Sequence, residues 1–156
     1  MVIRYAREAD IPGILSLLGQ VGEVHHRIRP DIFPANTRKY DADALKNLLQ
    51  EKNRPIFVAE IDGQVAGYCF CIHKVFPVTT SSVARTELYI DDLCVDENRR
   101  GQHIGSLLYD HAVAYAKEIG CDFLTLNVWC GNDSAQKFYE HAGMKPRNIM
   151  METKLC

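Results

Sequence analysis

An α+β fold (α/β in looser usage), with a mixed and mostly antiparallel central sheet flanked by helices, is what three features of the sequence predict. Stretches with apolar residues at helical spacing alternate with short apolar strand-like runs. Two of those runs meet at Asp62-Gly63, a two-residue hairpin turn that pairs strands antiparallel. A long helical stretch then separates "ARTELYIDDLCVD" from "CDFLTLNVW", which is the crossover that parallel neighbours need.

The elements follow in order. "MVIRYARE" reads as an opening strand, and "DIPGILSLLGQV" as a helix with Asp10 at its N-cap, Pro12 in its first turn and Ile11, Ile14, Leu15 and Leu18 on one side. "EVHHRIRPDIFPANTRKY" has no sustained period and reads as a short helix followed by an irregular loop; its adjacent His25 and His26 lack the spacing of zinc ligands. "DADALKNLLQEKN" is a second helix, with acids in the first turn and Leu45, Leu48 and Leu49 on one face. "PIFVAEIDGQVAGYCFCIHKV" is the hairpin, and "ARTELYIDDLCVD" its third strand after a polar loop. "HIGSLLYDHAVAYAKEIG" is a long helix with Ile104, Leu108, His111, Tyr115 and Ile119 on one flank, ended by Gly120. "CDFLTLNVW" is a further strand, "NDSAQKFYEHAG" a short helix aligning Ala135, Phe138, Tyr139 and Ala142, and "RNIMMETKL" a final strand.

At 156 residues the chain suits one domain, spanning 1–156. Its 47% hydrophobic and 24% charged residues form an ordinary globular mixture. A net charge of −2 offers no global attraction for nucleic acid or an anionic membrane. No apolar run reaches membrane-spanning length, and "MVIRYAREAD" is too charged for a signal peptide, so a cytoplasmic protein is expected. Of the six cysteines, Cys69, Cys71 and Cys94 lie in apolar strands and read as reduced, small hydrophobes; no second ligand pair supports a metal site.

Chemistry concentrates between residues 87 and 139. "RRGQHIG" joins a strand to a helix, so free main-chain N–H groups at the helix start lie beside Arg99 and Arg100, an anion cradle. It lacks the Gly-Lys-Ser/Thr ending of a P-loop and the third glycine of a dinucleotide fingerprint. The strand before it carries Glu87, Asp91 and Asp92. By strict alternation Leu88 and Ile90 share one face while Leu93 and Val95 share the other; a β-bulge at Asp91 or Asp92 would reconcile them, and a strand buried on both faces is the alternative.

The run "YIDDLCVDENRRGQHIGSLLYDHAVAYAKEIGCDFLTLNVWCGNDSAQKFYEHAGM" resembles the GNAT acetyltransferase superfamily along its whole length. The resemblance implies the GNAT acyl-CoA N-acyltransferase fold and acetyl-CoA as co-substrate. In that family Arg100 would open the pyrophosphate loop Arg100, Gly101, Gln102, His103, Ile104 and Gly105, with the amides from about Gln102 to Ser106 holding the pyrophosphate. His103 departs from the pattern, which has glycine there. The resemblance also places Leu93, Cys94 and Val95 along the coenzyme, Asn132 on its pantetheine arm, and Tyr139 as the acid that protonates the thiolate.

Asp91-Asp92 is similar to the acidic pair of spermidine/spermine acetyltransferases, implying that one of them accepts the amine's proton, Asp91 first, directly or through water. Without the resemblance, Tyr139 reads as a core aromatic and the acids as a solvated strand end. Three carboxylates favour a cationic amine as acceptor by Coulomb attraction. The expected function is therefore acetyl-CoA-dependent N-acetylation of a primary amine on a small molecule or peptide, without metal, nucleic acid or membrane, with a homodimer implied by family resemblance alone. The alternative is a catalytically silent coenzyme A-binding sensor or interaction protein of the same fold.

Overall fold

The computed structural model describes residues 1–156. Its strands are β1 (Val2–Tyr5), β2 (Ile56–Ile61), β3 (Gln64–Phe76), β4 (Arg85–Val95) and β5 (Phe123–Leu126). Its helices are α1 (Ile11–Ile28), α2 (Ala42–Leu48), α3 (Ile104–Glu118) and α4 (Asp133–His141). The sheet runs β1-β2-β3-β4-β5, antiparallel through the first four strands and parallel between β4 and β5. This is the mixed, mostly antiparallel architecture that the sequence predicts. The hairpin turn forms at Asp62 and Gly63, both with positive φ (52° and 75°).

Each face of the sheet carries its own core. On one side Ile11, Ile14, Leu17 and Leu18 of α1 and Leu45 and Leu48 of α2 cover Val58, Tyr68, Phe70 and Cys94. On the other, Ile104, Leu108, Ala112 and Ala116 of α3 cover Phe57, Cys69, Cys71, Leu88 and Ile90, with Phe138 and Tyr139 of α4 packed beside them. Burial of each large aliphatic side chain contributes about 2 kcal/mol.

Several expectations are corrected. Asp10 stands at the N-cap position of α1, as expected, but its side chain makes no capping bond: its carboxylate takes the Arg4 guanidinium at 2.7 and 2.9 Å and the Arg7 N–H at 2.7 Å, and hydrogen bonding to Arg4 holds it below the usual carboxylate range despite burial. α1 continues unbroken to Ile28, absorbing the expected short helix. Gly22 within it lets the following loop cross close over the helix, because a Cβ there would collide with the main-chain oxygen of Thr37. The buried stripe of α3 is Ile104, Leu108, Ala112 and Ala116, while His111 and Tyr115 lean edge-on against Phe57.

The final strand is absent. Residues 145–156 have no regular structure and make no main-chain hydrogen bond to β5. Side-chain ion pairs hold this segment instead, Arg147 with Glu87 and Glu152 with Arg29, leaving Ile149, Met150, Met151 and Leu155 exposed.

Candidate active site

The site begins as a fault in strand pairing. Phe70 faces Asp92 and Cys71 faces Ile90, so Asp91 is the extra residue of a β-bulge. The bulge resets the alternation, and Leu88, Ile90, Leu93 and Val95 all join the core under α3, as the parity of the sequence requires. β5 pairs with β4 only from Glu87 to Ile90. Beyond that point the main-chain edge of Asp91–Val95 that faces away from β3 has no neighbouring strand, and a notch opens between β4 and β5. Leu93, Cys94 and Val95 lie along it.

The two aspartates at the apex are held differently. Asp91 accepts a hydrogen bond from Lys39 Nζ at 2.7 Å and another from the Tyr40 hydroxyl at 3.1 Å. Asp92 is half-buried, and its direct side-chain partner is the Tyr68 hydroxyl at 2.8 Å. Burial pushes the Asp92 carboxyl up to about 6, against the Tyr68 hydrogen bond and the more distant charge of Lys39. Burial and the Asp91 charge push the Tyr40 phenol to about 12, so it remains a donor.

Glu87 stands apart from this pair. It lies four residues along β4, roughly 13 Å away at strand rise. Its carboxylate receives Arg85 at 2.8 Å, Arg147 at 2.8 Å and Thr125 Oγ1 at 3.2 Å. Burial raises its pKa, but these hydrogen bonds outweigh it and leave the group below its ordinary value. A carboxylate so occupied ties β4, β5 and the C-terminal segment together; it is not a free base.

Tyr139 approaches from α4, packed against Tyr109 and Phe138 with ring centroids at 6.2 and 5.0 Å. Burial, with added repulsion from the Cys69 and Asp92 side, raises its phenol so that it stays protonated and able to donate. Asn132 caps α4, accepting from Ala135 N–H at 3.3 Å and Ser134 Oγ at 3.2 Å.

At the other end of the notch lies the start of α3. Gly101 and His103 both take positive φ (78° and 59°), turning the chain so that α3 begins without a side-chain cap. No main-chain N–H from Gly101 to Ser106 has a protein acceptor. These donors and the helix dipole suit an anion. Arg100 is exposed and unpaired beside them, whereas Arg99 is drawn off to Gln64 Oε1 at 3.0 Å. The imidazole of His103 occupies a left-handed position without removing any of the main-chain donors.

Sequence reasoning missed Lys39, Tyr40 and Tyr68. Tyr68 was accessible in principle, since its β3 register places it on the Asp92 face. Lys39 and Tyr40 come from the aperiodic loop between α1 and α2. That loop also brings Phe33 between His25, stacked at 5.0 Å, and Trp129, edge-on at 5.2 Å, forming an aromatic wall. No group of three or more His, Cys, Asp or Glu side chains is placed to hold a metal ion, and no helix is long and apolar enough to cross a membrane.

Residues 22–144 match the family model described as the acetyltransferase (GNAT) family. An uncharacterized N-acetyltransferase of Bacillus subtilis is 31% identical over 144 residues, covering 92% of this chain and 89% of that protein. An uncharacterized N-acetyltransferase of Methanocaldococcus jannaschii is 28% identical over 121 residues, 77% of this chain; the match spans only 52% of that relative's length. Among solved structures, a mutant protein from Bacillus halodurans superposes with a TM-score of 0.96 at 31% identity, covering 100% of both chains.

Proposed function

The chain belongs to the acetyltransferase (GNAT) family, and from that premise we propose that it is an acetyl-CoA-dependent N-acetyltransferase acting on a primary, cationic amine of a small molecule or peptide. The observation that carries this reading is the notch. A bulged strand edge with two carboxylates at its apex runs toward the unpaired amides of α3.

The residues divide the work. Amides from Gly101 to Ser106, with Arg100, would hold the diphosphate; Leu93, Cys94 and Val95 would line the path of the thiol arm, and Asn132 its far side. When bound, the thioester supplies an activated acyl carbon. Asp91 would receive the acceptor's ammonium in the position that Lys39 takes here, which supports a cationic substrate. We place the proton acceptor on Asp92 rather than Asp91, because burial pushes its carboxyl up to about 6 and it has no cation in direct contact, whereas Asp91 holds the Lys39 ammonium. Tyr139 would return a proton to the leaving sulfur.

Residues 1–156 would act as one acetyltransferase domain in the cytoplasm; for assembly, family resemblance supports a homodimer.

The test is release of free coenzyme A thiol from acetyl-CoA across polyamines, aminoglycosides, lysine-like amines and N-terminal peptides. Turnover above the amine-free rate with at least one cationic amine is expected. Binding of acetyl-CoA with no acetylation of any amine would replace the enzyme with a coenzyme A-binding protein of the same fold.

A further inference from the structure

We propose that the protein acetylates its own Lys39, making this lysine a built-in acceptor and a modification site at the mouth of the notch. The inference rests on the acetyl-transfer reading above and extends it to a residue of the chain itself.

Lys39 is placed as an acceptor amine would be. Its Nζ lies 2.7 Å from Asp91 Oδ2 and 3.4 Å from the Asp91 main-chain oxygen, at the residue where β4 bulges and parts from β5. Of the eight lysines in the sequence it alone forms an ion pair with a carboxylate. Its side chain is 42% exposed and rides on the irregular loop between α1 and α2, so reaching further into the notch requires no regular element to move. An open groove of about 710 Å³, lined in part by Glu23, Lys39, Tyr40 and Asp41, lies behind it. Because the amine is tethered, its concentration at the site does not depend on how much protein is present.

The transfer balances without any further reagent. Lys39 Nζ gives up one proton through the aspartate pair to water, and its lone pair attacks the carbonyl carbon of an acetyl thioester. The C–N bond forms, the C–S bond breaks, the nitrogen gives its second proton to solvent, and the sulfur leaves with its electron pair and takes a proton from Tyr139, which solvent replaces. One lysine ammonium and one acetyl thioester thus become one acetyl-lysine, one thiol and one released proton. The product lacks the charge that pairs with Asp91, so modification would open that carboxylate to an external ammonium.

The full-length protein is incubated with acetyl-CoA alone and followed by intact-mass and peptide mass spectrometry. One acetyl group per chain is expected on Lys39, gained at least about tenfold faster than on any of the other lysines, in step with one equivalent of thiol and at a rate independent of protein concentration. Lys39→Arg, which retains the ion pair, should abolish the label, and Tyr139→Phe should slow it. Labelling spread evenly over the lysines, or a Lys39 rate proportional to protein concentration, would overturn the inference. External amines turned over while Lys39 stays unmodified would overturn this inference alone; neither external amine nor Lys39 acetylated would overturn the acetyl-transfer reading with it.

Discussion

Asp92 is a half-buried carboxylate whose direct side-chain partner is a neutral hydroxyl, while its neighbour Asp91 takes the nearby ammonium. A pKa of about 6 narrows the gap to an alkylammonium near 10 but leaves roughly four units, or about 5 kcal/mol, to be met by water relay or by a lowered amine pKa. A base works only when deprotonated, so kcat/KM with a good acceptor should fall about tenfold per pH unit below about 6 and level off above it. Asp92→Asn should cut kcat by about 10²-fold or more and erase that acidic limb. A variant that keeps the limb unchanged would move the base elsewhere, to Asp91 first.

At the scale of elements, the loop between β4 and α3 sets a non-glycine residue where glycine is at ease. The left-handed conformation of His103 costs about 1–2 kcal/mol, of which glycine's greater freedom in the unfolded chain returns part. His103→Gly should therefore raise stability by about 0.5–1 kcal/mol, seen as a Tm higher by about 2 °C in thermal unfolding. An unchanged or lower Tm would mean that the imidazole makes a compensating contact.

This loop and the bulge were legible in the chain, because turn chemistry and side-chain alternation are local and leave a mark in spacing. The order of elements and the hairpin were readable for the same reason. Lys39 and Tyr40 were not, since an aperiodic loop says nothing about which strand it will cross. Nor was the missing last strand: "RNIMMETKL" has strand-like composition, but only the assembled sheet reveals that side-chain ion pairs hold it away from ladder pairing.

Across the whole molecule, the sheet separates two approaches to one point. α3 and α4 bring the anion cradle and Tyr139 from one face, and α1 with its following loop brings Lys39 and Tyr40 from the other. Glu87 belongs to the frame that keeps these apart. Glu87→Gln should lower stability by about 2 kcal/mol, because Arg85 and Arg147 lose a shared, buried counter-charge, while kcat stays within a few-fold of the parent. A kcat lowered more than about a hundredfold at unchanged Tm would return Glu87 to the reaction. The single surplus residue at position 91 acts like one tooth in a gear train. Remove it, and every side chain from there to the end of the strand turns to the opposite layer, so oily groups meant for α3 would meet α1. Chemistry and cohesion are therefore geared together, and a change of length at this spot cannot alter one without stripping the other.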